Sequence, residues 1–86
     1  MLMLLVIDIG NTNITLGLYH ANKLTGQPWR LASDNNQTAD QYGLELLGLL
    51  SHAQIKPGEV QAAALASVVP PLTGLWVELC RTYLNL

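Results

Sequence analysis

The first residues that could do chemistry lie where an apolar stretch turns polar. Asp8 comes near the end of a run that is otherwise apolar from Leu2 to Ile9. Gly10, just after it, allows the backbone to approach a ligand closely, and the next residues offer short polar side chains beside a turn. A turn with several backbone N–H groups can form an anion-binding concavity. This stretch, called the 8–15 segment below, consists of Asp8, Ile9, Gly10, Asn11, Thr12, Asn13, Ile14 and Thr15.

The 8–15 segment contains no lysine or arginine, which distinguishes it from a P-loop. If the segment binds a polyphosphate, another group has to supply positive charge. Asp8 is the side chain that could hold a Mg²⁺ ion, through water, and this ion would bridge to phosphate oxygens. From the residues alone, the alternative is that Asp-x-Gly-Asn is only a favourable hairpin turn.

Two further segments lie at places where ligands often bind. Thr38 to Gly43 begins a helical pattern, in which Thr38 and Gln41 have the capping-box form and Asp40 suits the helix dipole. Capping therefore accounts for that segment without a ligand. Ser67 to Leu72 marks a strand end that leads into a helix, a position that binds small molecules in open α/β sheets. Strand termination explains the second segment equally well.

The spacing of apolar residues predicts the elements that position these segments. The continuous apolar run Leu2–Ile9 predicts a strand buried on both faces. Alternation over Ile14–His20 predicts a second strand. Leu24–Ala32 reads as a third, in which Pro28 indicates an edge position or a bulge. Three consecutive antiparallel strands form a meander.

In the second half of the chain, the spacing of apolar residues changes from that of strands to that of helices. Helical spacing from Tyr42 to Ala53 predicts a helix, and Val60–Ser67 predicts a buried strand. Pro70 and Pro71 suit the first turn of a second helix, whose apolar stripe is too wide for one sheet face to cover. The order is β-β-β-α-β-α. A parallel fourth strand reached through a helix places the chain in the α/β class.

Composition excludes several kinds of protein. The 86 residues make one small domain at most, and with 50% apolar and 12% charged residues they do not form a disordered tail. The net charge is −2, and the basic residues are scattered, so we expect no nucleic-acid partner and no membrane surface. The opening apolar run is too short for a membrane span. Cys80 is the single cysteine, which fits a reducing compartment, and the cytoplasm is the default location.

Taken together, these segments resemble the start of a type III pantothenate kinase. The resemblance rests on Leu5–Asn13, on Trp29–Leu31 followed by Thr38–Gly43, and on Ser67–Leu72, and it covers nearly the whole chain. It implies that residues 1–86 are the N-terminal, ATP-phosphate-binding part of an actin-like (ribonuclease H-like) kinase domain, which is incomplete here. Gln41 stands where the family pattern has glutamate and still satisfies the capping box.

The resemblance also implies a function. The family phosphorylates pantothenate to 4'-phosphopantothenate with ATP, the first step of coenzyme A biosynthesis, using Mg²⁺ and a monovalent cation (K⁺ or NH₄⁺), as a cytoplasmic homodimer. Its ATP contacts map onto Asp8 through Thr15, with Asp8 as the metal residue. A Gly-x-Asp-Arg motif with the catalytic base is expected beyond Leu86. No catalytic residue is therefore assigned to this chain, and the chain alone is expected to be inactive.

Two other functions are compatible with these residues. The first is a catalytically inactive nucleotide-binding or assembly module of the actin-like superfamily. The second is a different kinase of that superfamily, such as a sugar kinase, against which Thr38–Gly43 and Ser67–Leu72 argue. A continuation of the gene into Gly-x-Asp-Arg would separate the kinase from the inactive module.

Overall fold

The computed structural model describes residues 2–86 as a sheet with two α-helices. The first two strands form a hairpin, two short strands follow, and the last strand comes after the first helix. A single 3₁₀ turn, Pro57–Glu59, precedes the last strand. The bounds are β1 Met3–Ile9, β2 Asn13–His20, β3 Lys23–Leu24, β4 Trp29–Ala32, α1 Ala39–His52, β5 Val60–Ser67 and α2 Pro70–Leu84.

The sheet has the order β3-β2-β1-β5, and β4 also pairs with β2. Strands β1 and β2 are antiparallel, while β5 runs parallel to β1. A parallel neighbour requires a crossover connection, which α1 supplies. The predicted class and the order of meander, helix, parallel strand and helix are confirmed, as expected for the first part of an actin-like domain.

The predicted third strand, Leu24–Ala32, is interrupted. The structure has two short strands in its place, and both pair with β2 antiparallel. Gly26 adopts a φ of +71°, and Pro28 has no N–H to donate to a ladder. The chain therefore leaves the sheet between the two pieces. The meander predicted correctly that this stretch pairs with β2, but the prediction of one continuous strand was wrong.

One face of the sheet carries the core. Alternate residues of β1 point to this side, which we call the closed face, and the helices supply most of the remaining residues of the same cluster. The opposite side is called the open face. The closed-face residues of β1 and β2 are Met3, Leu5, Ile7, Ile9, Ile14, Leu16 and Leu18. The open-face residues of β1, β2 and β5 are Leu4, Val6, Asp8, Thr15, Gly17, Tyr19, Ala62, Ala64 and Ala66.

The predicted burial of β1 and β5 on both faces is wrong for this chain. Leu4 is 37% exposed, and residues 61–64 of β5 are all exposed. Within residues 2–86, both helices join the closed-face cluster, and β5 pairs only with β1. In the described part of the chain, no strand pairs with its outer edge and no helix covers the open face, where Gly17 is buried beside the Leu24 side chain. The bounds of β5, Val60–Ser67, match the prediction.

The two helices begin and pack as their sequences predict. The Thr38 hydroxyl accepts a hydrogen bond from the Gln41 N–H (3.1 Å), and the Gln41 side chain accepts one from the Thr38 N–H (2.7 Å), which completes a capping box. Trp76 of α2 contacts Tyr42 of α1, with ring centroids 5.3 Å apart. Neither helix in the range 2–86 is long and apolar enough to cross a membrane.

Candidate functional site

The carboxyl end of β1 is the place where the predicted segments meet. Since β1 and β5 are parallel, both end at the same edge of the sheet, and Ile9 pairs with Ser67. The Val68 N–H donates to the Ile9 carbonyl (3.0 Å). At the same edge β4 ends with Ala32 opposite Asn13, at the start of β2. The 8–15 segment therefore lies between the end of β5 and the end of β4.

A tight turn connects β1 to β2. The Gly10 N–H donates to the Asn13 carbonyl (2.9 Å), and Asn11 and Thr12 are exposed at the tip. A Cβ atom at Gly10 would lie 3.2 Å from that carbonyl oxygen, closer than most Cβ contacts. Glycine at this position therefore permits the tight turn, and the close approach of its backbone to a ligand stays a prediction.

Ser33, which follows β4, holds this turn from the side. Its hydroxyl donates to the Gly10 carbonyl (2.6 Å), and its N–H donates to the Thr12 carbonyl (2.9 Å). The carbonyls of Gly10, Thr12 and Asn13 thus all accept hydrogen bonds within the protein. Sequence reasoning missed Ser33. The meander could have indicated it, because the end of a third strand lies beside the turn between the first two.

Asp8 lies on the open face and is exposed. The strand register places Ala66 of β5 on one side of it and Thr15 of β2 on the other. Among residues 2–86, no group of three or more His, Cys, Asp or Glu side chains could hold a metal ion. A lone carboxylate suits Mg²⁺, which keeps several waters and takes other ligands from substrate phosphates.

One basic residue lies nearer to Asp8 than its place in the sequence suggests. Arg30 pairs with Thr15, which pairs with Asp8, so the three side chains share one row on the open face. Two strand spacings put the Cα atom of Arg30 about 10 Å from the Cα atom of Asp8. The sheet therefore brings this basic residue beside the 8–15 segment.

In the Ser67–Leu72 segment, the N–H groups of Val68, Val69 and Leu72 all donate hydrogen bonds within the protein. The Ser67 hydroxyl accepts a bond from the Val69 N–H (3.0 Å) and lies 3.2 Å from the Val69 carbonyl, to which it donates. Pro70 and Pro71 have no N–H, and the Leu72 N–H donates to the Val69 carbonyl. Most donors of the segment therefore serve the turn from β5 into α2, and we expect backbone donors for an anion from the 8–15 segment.

The Thr38–Gly43 segment contacts the site through Tyr42. The Tyr42 hydroxyl donates to the Ala32 carbonyl (2.8 Å) and accepts a bond from the Asp34 N–H (2.9 Å). Burial raises the pKa of the Tyr42 hydroxyl above its ordinary value, so the group remains a neutral donor. Capping explains Thr38 and Gln41, as predicted, and Tyr42 ties α1 to the residues on either side of Ser33.

Other polar side chains lie away from the β1–β2 turn or already form hydrogen bonds within the protein. His20 bonds through Nδ1 to the Leu2 carbonyl (2.9 Å), at the opposite end of the sheet. Asp34 accepts a bond from the Asn36 N–H (2.9 Å), and Asp40 accepts one from the Tyr83 hydroxyl (2.5 Å). None of these side chains is assigned to the site.

Comparison with known proteins gives a consistent result. The family model described as "Type III pantothenate kinase" matches residues 4–86. A protein named type III pantothenate kinase from Listeria monocytogenes serovar 1/2a is 39% identical over 84 residues, covering 98% of this chain and 32% of the relative. The protein of that name from Roseiflexus sp. is 47% identical over 81 residues, 94% of this chain and 31% of the relative. The protein of that name from Pelobacter propionicus is 44% identical over 84 residues, which cover 98% of this chain and 33% of the relative. The chain spans about a third of the length of these relatives.

Proposed function

The chain belongs to the type III pantothenate kinase family, and from that premise we propose that it binds the phosphates of ATP in the phosphorylation of pantothenate to 4'-phosphopantothenate. That reaction is the first step of coenzyme A biosynthesis. Residues 1–86 are proposed to form the N-terminal, ATP-phosphate-binding part of an actin-like kinase domain. ATP and pantothenate are the proposed substrates.

The single observation that carries this role is the geometry of the β1–β2 turn. Three of its carbonyl oxygens accept hydrogen bonds within the protein, and its tip is exposed at the carboxyl end of a central strand. Ligands of open α/β sheets bind at the carboxyl ends of strands. A turn of this kind can offer backbone N–H groups to phosphate oxygens. The proposed ATP contacts are the residues of the 8–15 segment, Asp8 to Thr15.

Positive charge is proposed to come from Mg²⁺ held by Asp8. The ion would neutralise charge on the phosphates, while the exposed Asp8 carboxylate orients it through water. Arg30, in the same cross-strand row, adds a fixed positive charge to this face. From the family alone we also propose a monovalent cation (K⁺ or NH₄⁺), a homodimer and a cytoplasmic location.

We propose further that the 86-residue chain does not transfer phosphate by itself. A general base has to lie within hydrogen-bond reach of the hydroxyl that attacks. The carboxylates of Asp34 and Asp40 already accept bonds from Asn36 and Tyr83. Asp8, the carboxylate on the open face, is assigned to the metal.

A chimera tests the function. Residues 1–86 would replace the matched third of the Roseiflexus relative, and formation of 4'-phosphopantothenate would be measured for the chimera, its parent and the 86-residue chain. We expect turnover within about tenfold of the parent for the chimera and none for the chain. A folded chimera that binds Mg·ATP without transferring phosphate would favour an inactive nucleotide-binding module. Formation of 4'-phosphopantothenate by the purified 86-residue chain would contradict the proposal that this chain does not transfer phosphate by itself.

A further inference from the structure

We propose that Ser33 is a positioning residue for the 8–15 segment, which fixes the peptide groups of the β1–β2 turn so that their N–H groups face the phosphates. This role rests on the phosphate-binding function proposed above and adds a residue that touches neither ATP nor the metal. Ser33 is half-buried and lies directly after β4. It acts through the carbonyl oxygens of Gly10 and Thr12.

The direction of the peptide groups follows from covalent geometry. In a trans peptide the C=O of one residue and the N–H of the next point in opposite directions, and the described residues contain no cis peptide. The Gly10 carbonyl points toward the Ser33 hydroxyl (2.6 Å), so the Asn11 N–H points away from Ser33. The Thr12 carbonyl points toward the Ser33 N–H (2.9 Å), so the Asn13 N–H also points away. Both donors are thereby fixed away from Ser33.

The alternative orientation of these peptides would oppose anion binding. A carbonyl oxygen carries partial negative charge, so a turn whose carbonyls rotated outward would present acceptors to phosphate oxygens that are themselves acceptors. One other hydrogen bond spans the turn, from the Gly10 N–H to the Asn13 carbonyl (2.9 Å), and it leaves the Gly10 and Thr12 carbonyls to Ser33. The tip of the turn is exposed, and Gly10 is conformationally permissive. The two bonds from Ser33 select the orientation that presents N–H groups.

Ser33 is itself held in place by α1. The Tyr42 hydroxyl bonds the residues on both sides of it, donating to the Ala32 carbonyl (2.8 Å) and accepting from the Asp34 N–H (2.9 Å). Tyr42 is fully buried and packs against Trp76 of α2. A chain of contacts therefore runs from the core through Tyr42 and Ser33 to the turn.

Amide hydrogen exchange on the 86-residue chain tests the contact directly. Ser33→Ala removes the hydroxyl and should speed exchange at the Gly10 and Ser33 amides about fivefold, the expected effect of losing one hydrogen bond. Ser33→Thr keeps a hydroxyl and should restore exchange to within about twofold. Ser51→Ala, at an exposed position near the end of α1, is the matched control and should change neither amide. Unchanged exchange at both amides in folded Ser33→Ala would overturn the proposal.

Kinetics of the chimera test the consequence. Ser33→Ala should raise the KM for ATP about tenfold and leave the KM for pantothenate unchanged, with rescue by Ser33→Thr. An equal rise in the KM for ATP and the KM for pantothenate would indicate a merely structural residue and overturn the positioning role. If Ser33→Ala does not fold, Tyr42→Phe should raise the KM for ATP in the same direction by a smaller factor, and an unchanged KM would overturn it. An inactive unsubstituted chimera would count against the proposed function only, because hydrogen exchange still decides the Ser33 contact.

Discussion

On the closed face of β1, Leu5 and Ile7 are 0% and 1% exposed, whereas Leu4, between strand neighbours on the open face, is 37% exposed. The same strand thus presents two surfaces with different constraints. Closed-face side chains have to fill a packed interior, where the loss of one methylene is felt. Open-face side chains of β1 are exposed or only partly buried, so packing constrains them less, and Asp8 lies among them. The closed-face positions of β1 therefore determine folding, while its open-face positions are available for chemistry.

The largest expected effect is on the open face and concerns activity. Asp8→Asn in the chimera should lower kcat/KM about 1000-fold, equivalent to about 4 kcal/mol, because the amide does not hold Mg²⁺ against the phosphates. The melting temperature should stay nearly constant, since the side chain is exposed. Glu78→Gln, an exposed carboxylate change on α2, is the control. Near-parental turnover in folded Asp8→Asn would remove the metal assignment.

The next effect compares sequence neighbours on opposite faces. Ile7→Ala should lower the free energy of unfolding by about 3 kcal/mol, because it leaves a cavity in the core. Val6→Ala, whose side chain lies on the open face and is only partly buried, should cost less than about 1 kcal/mol. Urea denaturation followed by circular dichroism measures both. Equal losses would show that the open face is packed in solution.

A smaller effect tests how tightly the closed side is packed between the helices. A Cβ atom at Gly43 would overlap the ring of Tyr83, while one at Gly48 meets nothing within 4 Å. Gly48→Ala should therefore stabilise the chain by about 1 kcal/mol through helix propensity. Gly43→Ala should cost about 1 kcal/mol despite the same gain, because the ring has to move. A stabilising Gly43→Ala would mean that Tyr83 relocates freely.

The smallest effect is a pH dependence on the closed side. Burial, and then the charges of Asp34 and Glu45, raise the pKa of Tyr42 in the folded chain, while a backbone hydrogen bond opposes them. The folded state thus holds this proton more tightly than the unfolded state, so its contribution to stability is complete below the unfolded pKa of about 10 and declines at higher pH. Tyr42→Phe should lose less stability than the parent between pH 9 and 11. Identical pH profiles would contradict the burial of the hydroxyl.

The parts of the fold that depend on local patterns were predictable from the sequence. The capping box at Thr38 and the strand Val60–Ser67 are where the pattern predicts them, because caps and breakers act over a few residues. The one-sided burial of β1 was not predictable. Leu4 and Val6 are apolar on the open face, so they hide the period of two that marks a half-buried strand.

Long-range geometry limited prediction of the candidate site. The 8–15 segment was found from its own residues, since a carboxylate, a glycine and short polar side chains follow one strand. Ser33 and Arg30 reach it only through the register of β4 against β2, which no local pattern states. The interruption of the predicted third strand shows the same limit, because Pro28 indicated an edge position or a bulge and not how far the chain leaves the sheet.

The pairing of β1 with β5 also has a consequence for the order of folding events. The hairpin of β1 and β2 closes through a short turn, but Ile9 meets Ser67 only after all of α1 has been spanned. Closing such a long loop has an entropic cost that precedes any gain from the contacts it brings, which slows the step. We expect β1 and β2 to associate early and β5 to dock late. Ala63→Gly in β5 should then speed unfolding and leave the stopped-flow refolding rate nearly unchanged.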